Sequence, residues 1–256
     1  MRIGACLWSL PEDPHEAAAW AKDVGFEAID VDPGFAAGWD AASGLPVASL
    51  AIAHLIPDGA ALEAADDSAR KQAFDHVRAG LAEAAELNAE FVYLPPAAAS
   101  AVDPASRARF REAVVALTEE SARLGIKFGI EHFPGYALPS VAETLAFVED
   151  VGHPNLYVLL DIGHAQISRE SVPDAVAALG DLLTFVHFDD NRGELDDHLA
   201  LLDGLQQEQD LVDAVRALRR HGYDGQISIE MNPKLPDPRD AMVRSFEILK
   251  RVMAQA

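Results

Sequence analysis

Short apolar runs alternate along the chain with longer stretches at helical spacing. The runs fall at residues 3–7, 28–31, 47–53, 91–94, 128–130, 157–160, 185–186 and 227–229, and they read as eight strands. Near-continuous apolar strands suit a parallel sheet covered on both faces. Between them, Phe110, Val114, Leu117, Ser121 and Leu124 recur at spacings of 4, 3, 4 and 3, which sets them on one helix face. Met242, Phe246, Leu249 and Met253 repeat the pattern near the C-terminus, as do Phe74, Val77, Leu81 and Ala84 in an Ala-rich stretch.

Helix ends are signposted. Asp13-Pro14, Asp103-Pro104 and Asp237-Pro238 each offer an N-cap carboxylate followed by proline at the first helical position. Ser140 and Glu143 fit a capping box, and Gly25, Gly125, Gly152 and Gly222 stand where helices should turn into the next strand. Only the second unit is irregular: residues 32–45 hold three glycines and a proline, and no full helix is expected there. Nothing resembling a linker divides the 256 residues, so the pattern predicts one α/β domain over 1–256, a single (β/α)8 TIM barrel. A doubly wound open sheet is the alternative, but it would have to run eight consecutive strands without a Gly-rich dinucleotide turn.

Charge narrows the function. Lys and Arg number 20 against 42 Asp and Glu, a net charge of −22, which speaks against nucleic-acid and anionic-membrane partners, because both need basic side chains against phosphate. Cys6 is the one cysteine; it excludes an internal disulfide and a Cys-based zinc knuckle and reads as a small core residue. The N-terminal residues lack a signal-peptide pattern and no run reaches the roughly 20 apolar residues of a membrane span, so a cytoplasmic protein is expected.

In such a barrel the chemistry sits at the C-terminal ends of the strands. The first four runs end at Trp8, Asp30/Asp32, His54 and Tyr93-Leu94-Pro95; the last four end at Glu131, Asp161, His187 and Glu230. Three carboxylates and an imidazole converging in a barrel mouth would repel unless a cation sat between them. One divalent ion is therefore expected on Glu131, Asp161, His187 and Glu230, with Mn2+, Mg2+ or Co2+ favoured by the oxygen-rich set and Zn2+ compatible with it.

The segments Gly129-Ile-Glu-His132, Leu160-Asp-Ile-Gly-His164, Val186-His-Phe-Asp-Asp-Asn-Arg192-Gly and Ile229-Glu230 together resemble the xylose isomerase-like barrel superfamily, and within it the sugar isomerases and epimerases. The resemblance implies that the four strand-end residues ligate the metal and that Glu131 and Glu230 are the catalytic pair. They would trade a proton with the carbon beside a sugar carbonyl through an enediolate. It also implies that His164 and Arg192 hold substrate oxygens. His54, at the end of the third strand, and His198, in the loop after the seventh, are further candidates for binding substrate.

A dehydratase or lyase acting on a related keto-sugar or inosose would use the same site, and a barrel that binds without turnover is a third reading. Asp196-Asp-His198 also resembles the Asp-x-His pair of the apurinic-site endonucleases, but their further histidine after the fourth strand is replaced here by Leu94-Pro95-Pro96. Two departures weaken a specific 3-epimerase reading. Leu199-Ala-Leu-Leu-Asp-Gly204 replaces a Leu-Pro…Gly-x-Gly loop, and no acid follows Glu131 within His132-Phe-Pro-Gly-Tyr-Ala137.

His15, His76, His132, His153 and His221 read as structural, while Trp8, Phe133 and Tyr93 are candidate pocket walls. The expected partner is a small carbohydrate, and loop aromatics suit a homo-oligomer that closes the barrel mouths.

Overall fold

The computed structural model describes residues 1–40, 44–96 and 103–256. Eight parallel strands close into a barrel in chain order: β1 (Arg2–Cys6), β2 (Ala28–Val31), β3 (Val47–Ala51), β4 (Phe91–Leu94), β5 (Lys127–Glu131), β6 (Leu156–Asp161), β7 (Leu183–Phe188) and β8 (Gln226–Ile229). Around it run α1 (Pro14–Val24), α2 (Asp67–Glu86), α3 (Pro104–Leu124), α4 (Val141–Val151), α5 (Ile162–Ile167), α6 (Val172–Leu179), α7 (Glu208–His221) and α8 (Pro238–Gln255). This is the (β/α)8 barrel expected from the alternating pattern.

The units are not uniform. After β2 the described residues to Asp40, and from Gly44, form turns and no helix, as the glycines imply; residues 41–43 of that expectation lie outside the described residues. The third strand stops at Ala51, two residues short of the apolar run, because the backbone turns with His54 N–H donating to Ala51 O. β6 is followed by two short helices, α5 and α6.

The helix signals act as local chemistry dictates. Asp13, Asp103 and Asp237 accept first-turn amides. Gly25, Gly125, Gly152 and Gly222 take left-handed φ of 108°, 75°, 65° and 81° at the C-caps, where a side chain would strain the backbone. Ser140 caps Glu143 N–H, but the Glu143 carboxylate accepts from the serine hydroxyl rather than closing a full capping box. In α3, Phe110, Val114, Leu117 and Ser121 are buried, whereas Leu124 is exposed because the helix ends there and leaves the sheet surface.

Two hydrophobic regions result among the described residues. The larger lies between barrel and helices. The smaller fills the barrel itself, where Phe91 of β4 stacks across on Phe185 of β7 with ring centroids 5.1 Å apart. Gly129 of β5 makes room for that stack, since a Cβ there would overlap the Phe91 ring. The opposite half of the interior is polar, built from Cys6, Asp30, Ser49, Gln226 and Ser228. Among the described residues, no helix is long and apolar enough to cross a membrane.

Candidate active site

Strand alternation delivers the site. Val186 and Phe188 pack outward against the helices while Phe185 joins the interior stack, so His187 also points inward, one layer above Phe185. Likewise Glu131 follows Gly129, Asp161 follows Leu159, and Glu230 follows Ser228. Asp161 and His187 are directly paired in the β6–β7 register.

One ligand atom from each of Glu131, Asp161, His187 and Glu230 lies within 4.8 Å of all the others, and all four residues are buried. His187 Nδ1 is 2.7 Å from Glu230 Oε2, 3.5 Å from Glu131 Oε1 and 3.9 Å from Asp161 Oδ2. Asp161 Oδ2, by contrast, is fully buried with no hydrogen-bond partner. Buried polar atoms rarely go unpaired. The four donors face a common point, which fits a shared cation. Three carboxylates and one imidazole form a hard-to-borderline donor set that suits a divalent ion.

The electrostatics agree. Burial pushes Glu131 above the usual carboxylate range. Burial would also raise Glu230, but the imidazoles of His198 and His187 and the indole N–H of Trp8 outweigh it and hold Glu230 well below that range. Positive charge at this point is what the carboxylates call for.

The candidate ligands are held from behind. Asp161 caps α5 by accepting from His164 N–H at 2.8 Å, and its own N–H donates to Nε2 of buried His132 at 3.2 Å. Burial drives His132 far below the ordinary histidine range, so it stays neutral and able to accept. Trp8 Nε1 donates to Glu230 Oε1 at 2.8 Å.

A second cluster adjoins the first. His164, Asp196 and His198 each bring a ligand atom within 4.8 Å of the others. His164 Nε2 is 3.2 Å from Asp196 Oδ2, and His198 Nδ1 is 3.6 Å from Glu230 Oε1. Burial opposes ionisation of Asp196, but the two imidazoles prevail and lower it to about 2.

His198 is returned to the mouth by a folded loop after β7. Asp190 accepts the amides of Gly204, Leu205 and Gln206, and Asn191 Oδ1 accepts those of Asp197 and His198. His54 sits at the rim, its Nδ1 2.6 Å from Asp32 Oδ1 and its ring edge-on to Trp8 at 5.2 Å. Phe133 packs on His164 at 4.5 Å, and Tyr93 meets the His187 ring at 5.4 Å.

The structure thus gathers Glu131, Asp161, His187, Glu230, His164 and His198, with His54 beside them. It does not bring in Arg192, whose side chain is 67% exposed and lies 3.4 Å from Asp197. Sequence reasoning missed the double role of His132 and the loop-building roles of Asp190 and Asn191. The available signal was the unbroken run Asp189-Asp190-Asn191 directly after a strand, all three fully buried. It also left Cys6 as packing, although the thiol lies against His187.

The signature of the xylose isomerase-like TIM barrel family matches residues 18–252, and the chain belongs to that family. Among curated relatives, an uncharacterized protein of Methanocaldococcus jannaschii is 30% identical over 198 residues, covering 73% of this chain and 64% of that one. The D-psicose 3-epimerase of Agrobacterium fabrum is 37% identical over 83 residues, 31% of this chain and 29% of that enzyme. Each match therefore spans less than two thirds of the relative's own length. Of solved structures, a D-tagatose 3-epimerase-like protein superposes with a TM-score of 0.83 at 23% identity, covering 99% of this chain and 97% of that one. The 3-keto-D-glucoside 4-epimerase of E. coli gives 0.82 at 19%, covering 98% and 99%. At these identities the superpositions establish the fold.

Proposed function

We propose that the protein is a divalent-metal-dependent sugar or polyol epimerase or isomerase that works by proton abstraction next to a carbonyl, through an enediolate. The observation that carries the reading is the convergence of Glu131, Asp161, His187 and Glu230 on one buried point, with Asp161 Oδ2 left without a hydrogen bond. The curated match to a 3-epimerase and the epimerase neighbours support the same class.

A divalent ion held by these four side chains, with Mn2+, Mg2+ and Co2+ ahead of Zn2+, would supply positive charge beside the oxygens on which an enediolate builds negative charge. The chain's own residues do the rest. Glu131 and Glu230 rise from β5 and β8 with β6 and β7 between them, so they bracket the mouth and can serve as base and acid towards one carbon. His164 and His198, held beside Asp196, and His54, oriented by Asp32, would hold substrate oxygens. Trp8 and Phe133 supply apolar walls to the same mouth.

The test is solvent-deuterium incorporation followed by proton NMR, with Mn2+-loaded protein and a panel of ketoses, aldoses and inososes. Exchange beside the carbonyl that is lost in Glu131→Gln and Glu230→Gln supports the reading, and conserved product mass separates isomerisation from loss of water by a lyase. No exchange with any compound, in protein shown to hold the ion, overturns it.

A further inference from the structure

Beneath the four ligands lies a group the proposed reaction does not use. Cys6 and Asp30 face each other in the β1–β2 register, both fully buried. Cys6 Sγ lies 3.9 Å from Nε2 of His187 and 3.7 Å from Asp30 Oδ2. Asp30 also accepts from Ser49 Oγ at 2.6 Å and from Gln226 Nε2 at 3.2 Å. Burying a carboxylate in a barrel interior is costly unless its lone pairs are met, and here the meeting is built in. Gly4 gives up a side chain where a Cβ would overlap the Gln226 amide. On the β4–β7 side the same depth is filled by aromatic rings, so the barrel does not need a carboxylate there for packing.

We propose that Asp30, acting through the Cys6 thiol, is the positioning residue that fixes the tautomer and ring orientation of His187. The inference rests on His187 being a metal ligand. Nδ1 faces the three carboxylates and can ligate only with its lone pair free, so the ring proton must sit on Nε2. Nε2–H then donates to Sγ, and Sγ–H donates to Asp30 Oδ2, a chain in which every donor has one acceptor. The usual partner of a metal-bound imidazole is a carboxylate, carbonyl or water in direct contact; in this barrel a thiol stands between the two. Cys6 is thereby part of the ligand's support rather than inert filling.

The test measures Mn2+ affinity by calorimetry in wild type, Cys6→Ala, Cys6→Ser and Asp30→Asn, with the visible spectrum of the Co2+-loaded forms and urea unfolding of the chelator-treated forms alongside. Expected is a loss of affinity of about 10–100-fold in Cys6→Ala and Asp30→Asn. Cys6→Ser should recover part of it, and the Co2+ bands should shift in Cys6→Ala while its urea midpoint after chelation stays near wild type. A purely structural role would move the urea midpoint and leave the Co2+ bands alone. Should Asp30→Asn fail to fold, Cys6→Ala decides. Mn2+ binding by Cys6→Ala within about twofold of wild type overturns the proposal and leaves the metal reading standing. Absence of binding by the wild type itself overturns the metal reading and this proposal with it.

Discussion

The backbone carbonyl of His132 accepts the Nδ1–H of His164 at 2.8 Å, while the His132 ring accepts the N–H of Asp161 at 3.2 Å. One residue thereby sets the aim of a candidate ligand and of a candidate substrate-holding imidazole. His132→Leu removes the acceptor at nearly the same volume, leaving the buried Asp161 amide unpaired. Urea unfolding should show a loss of about 1–3 kcal/mol, and an unchanged midpoint would refute the role.

Ion binding should be visible as stability. A ligand that binds only the folded chain adds about 2.7 kcal/mol at a concentration 100 times its Kd. Mn2+ added to chelator-treated protein is expected to raise Tm in wild type, and to leave it unmoved in the Glu131→Ala, Glu230→Ala double variant. Equal rises in both would place the ion elsewhere.

The rim pair predicts a pH dependence. Burial works against a charged His54, but Asp32, 2.6 Å from Nδ1, outweighs it and raises the histidine above its ordinary range. A raised folded-state pKa adds stability that is fully present below the unfolded value of about 6.5 and is lost as pH rises through the folded value. Asp32→Asn should lower the His54 midpoint seen by NMR. The stability gap between wild type and variant should be wide at pH 6 and close under alkaline conditions. A wild-type midpoint at or below that of a free histidine contradicts this.

A Cβ on Gly163 would overlap Asp189 Oδ1 and crowd the Asn191 amide, both on the segment that starts the loop after β7. Gly163→Ala is expected to cost about 1–3 kcal/mol by overpacking. It should also disturb the NMR signals of His198, whose amide depends on Asn191. Wild-type stability with an unshifted His198 would show that the loop tolerates the methyl group.

What could be read from the chain alone follows from distance along it. The barrel was legible because each apolar run and each Asp-Pro or Gly signal acts within a few residues. The four ligand candidates were legible because a strand end is a local landmark and the fold rule says where strand ends go. The loop that returns His198 was not, since Asp190 reaches amides 14 to 16 residues away and nothing in the spacing announces it. The outward direction of Arg192 belongs to the same loop, where its side chain lies 3.4 Å from Asp197. The outward-reading position of His132 suggested packing; its ring in fact bonds across to the neighbouring strand, a contact that only the β5–β6 pairing creates.

On β5 through β8, odd and even positions carry separate instructions. One set faces the helices; the other faces the barrel interior, packing it with Leu159 and Phe185 at depth and presenting the candidate ligands at the mouth. A substitution at Glu131 or His187 therefore alters the mouth and leaves the helix-facing positions as they are, whereas a single-residue insertion upstream in the same strand would exchange the two sets and cost both.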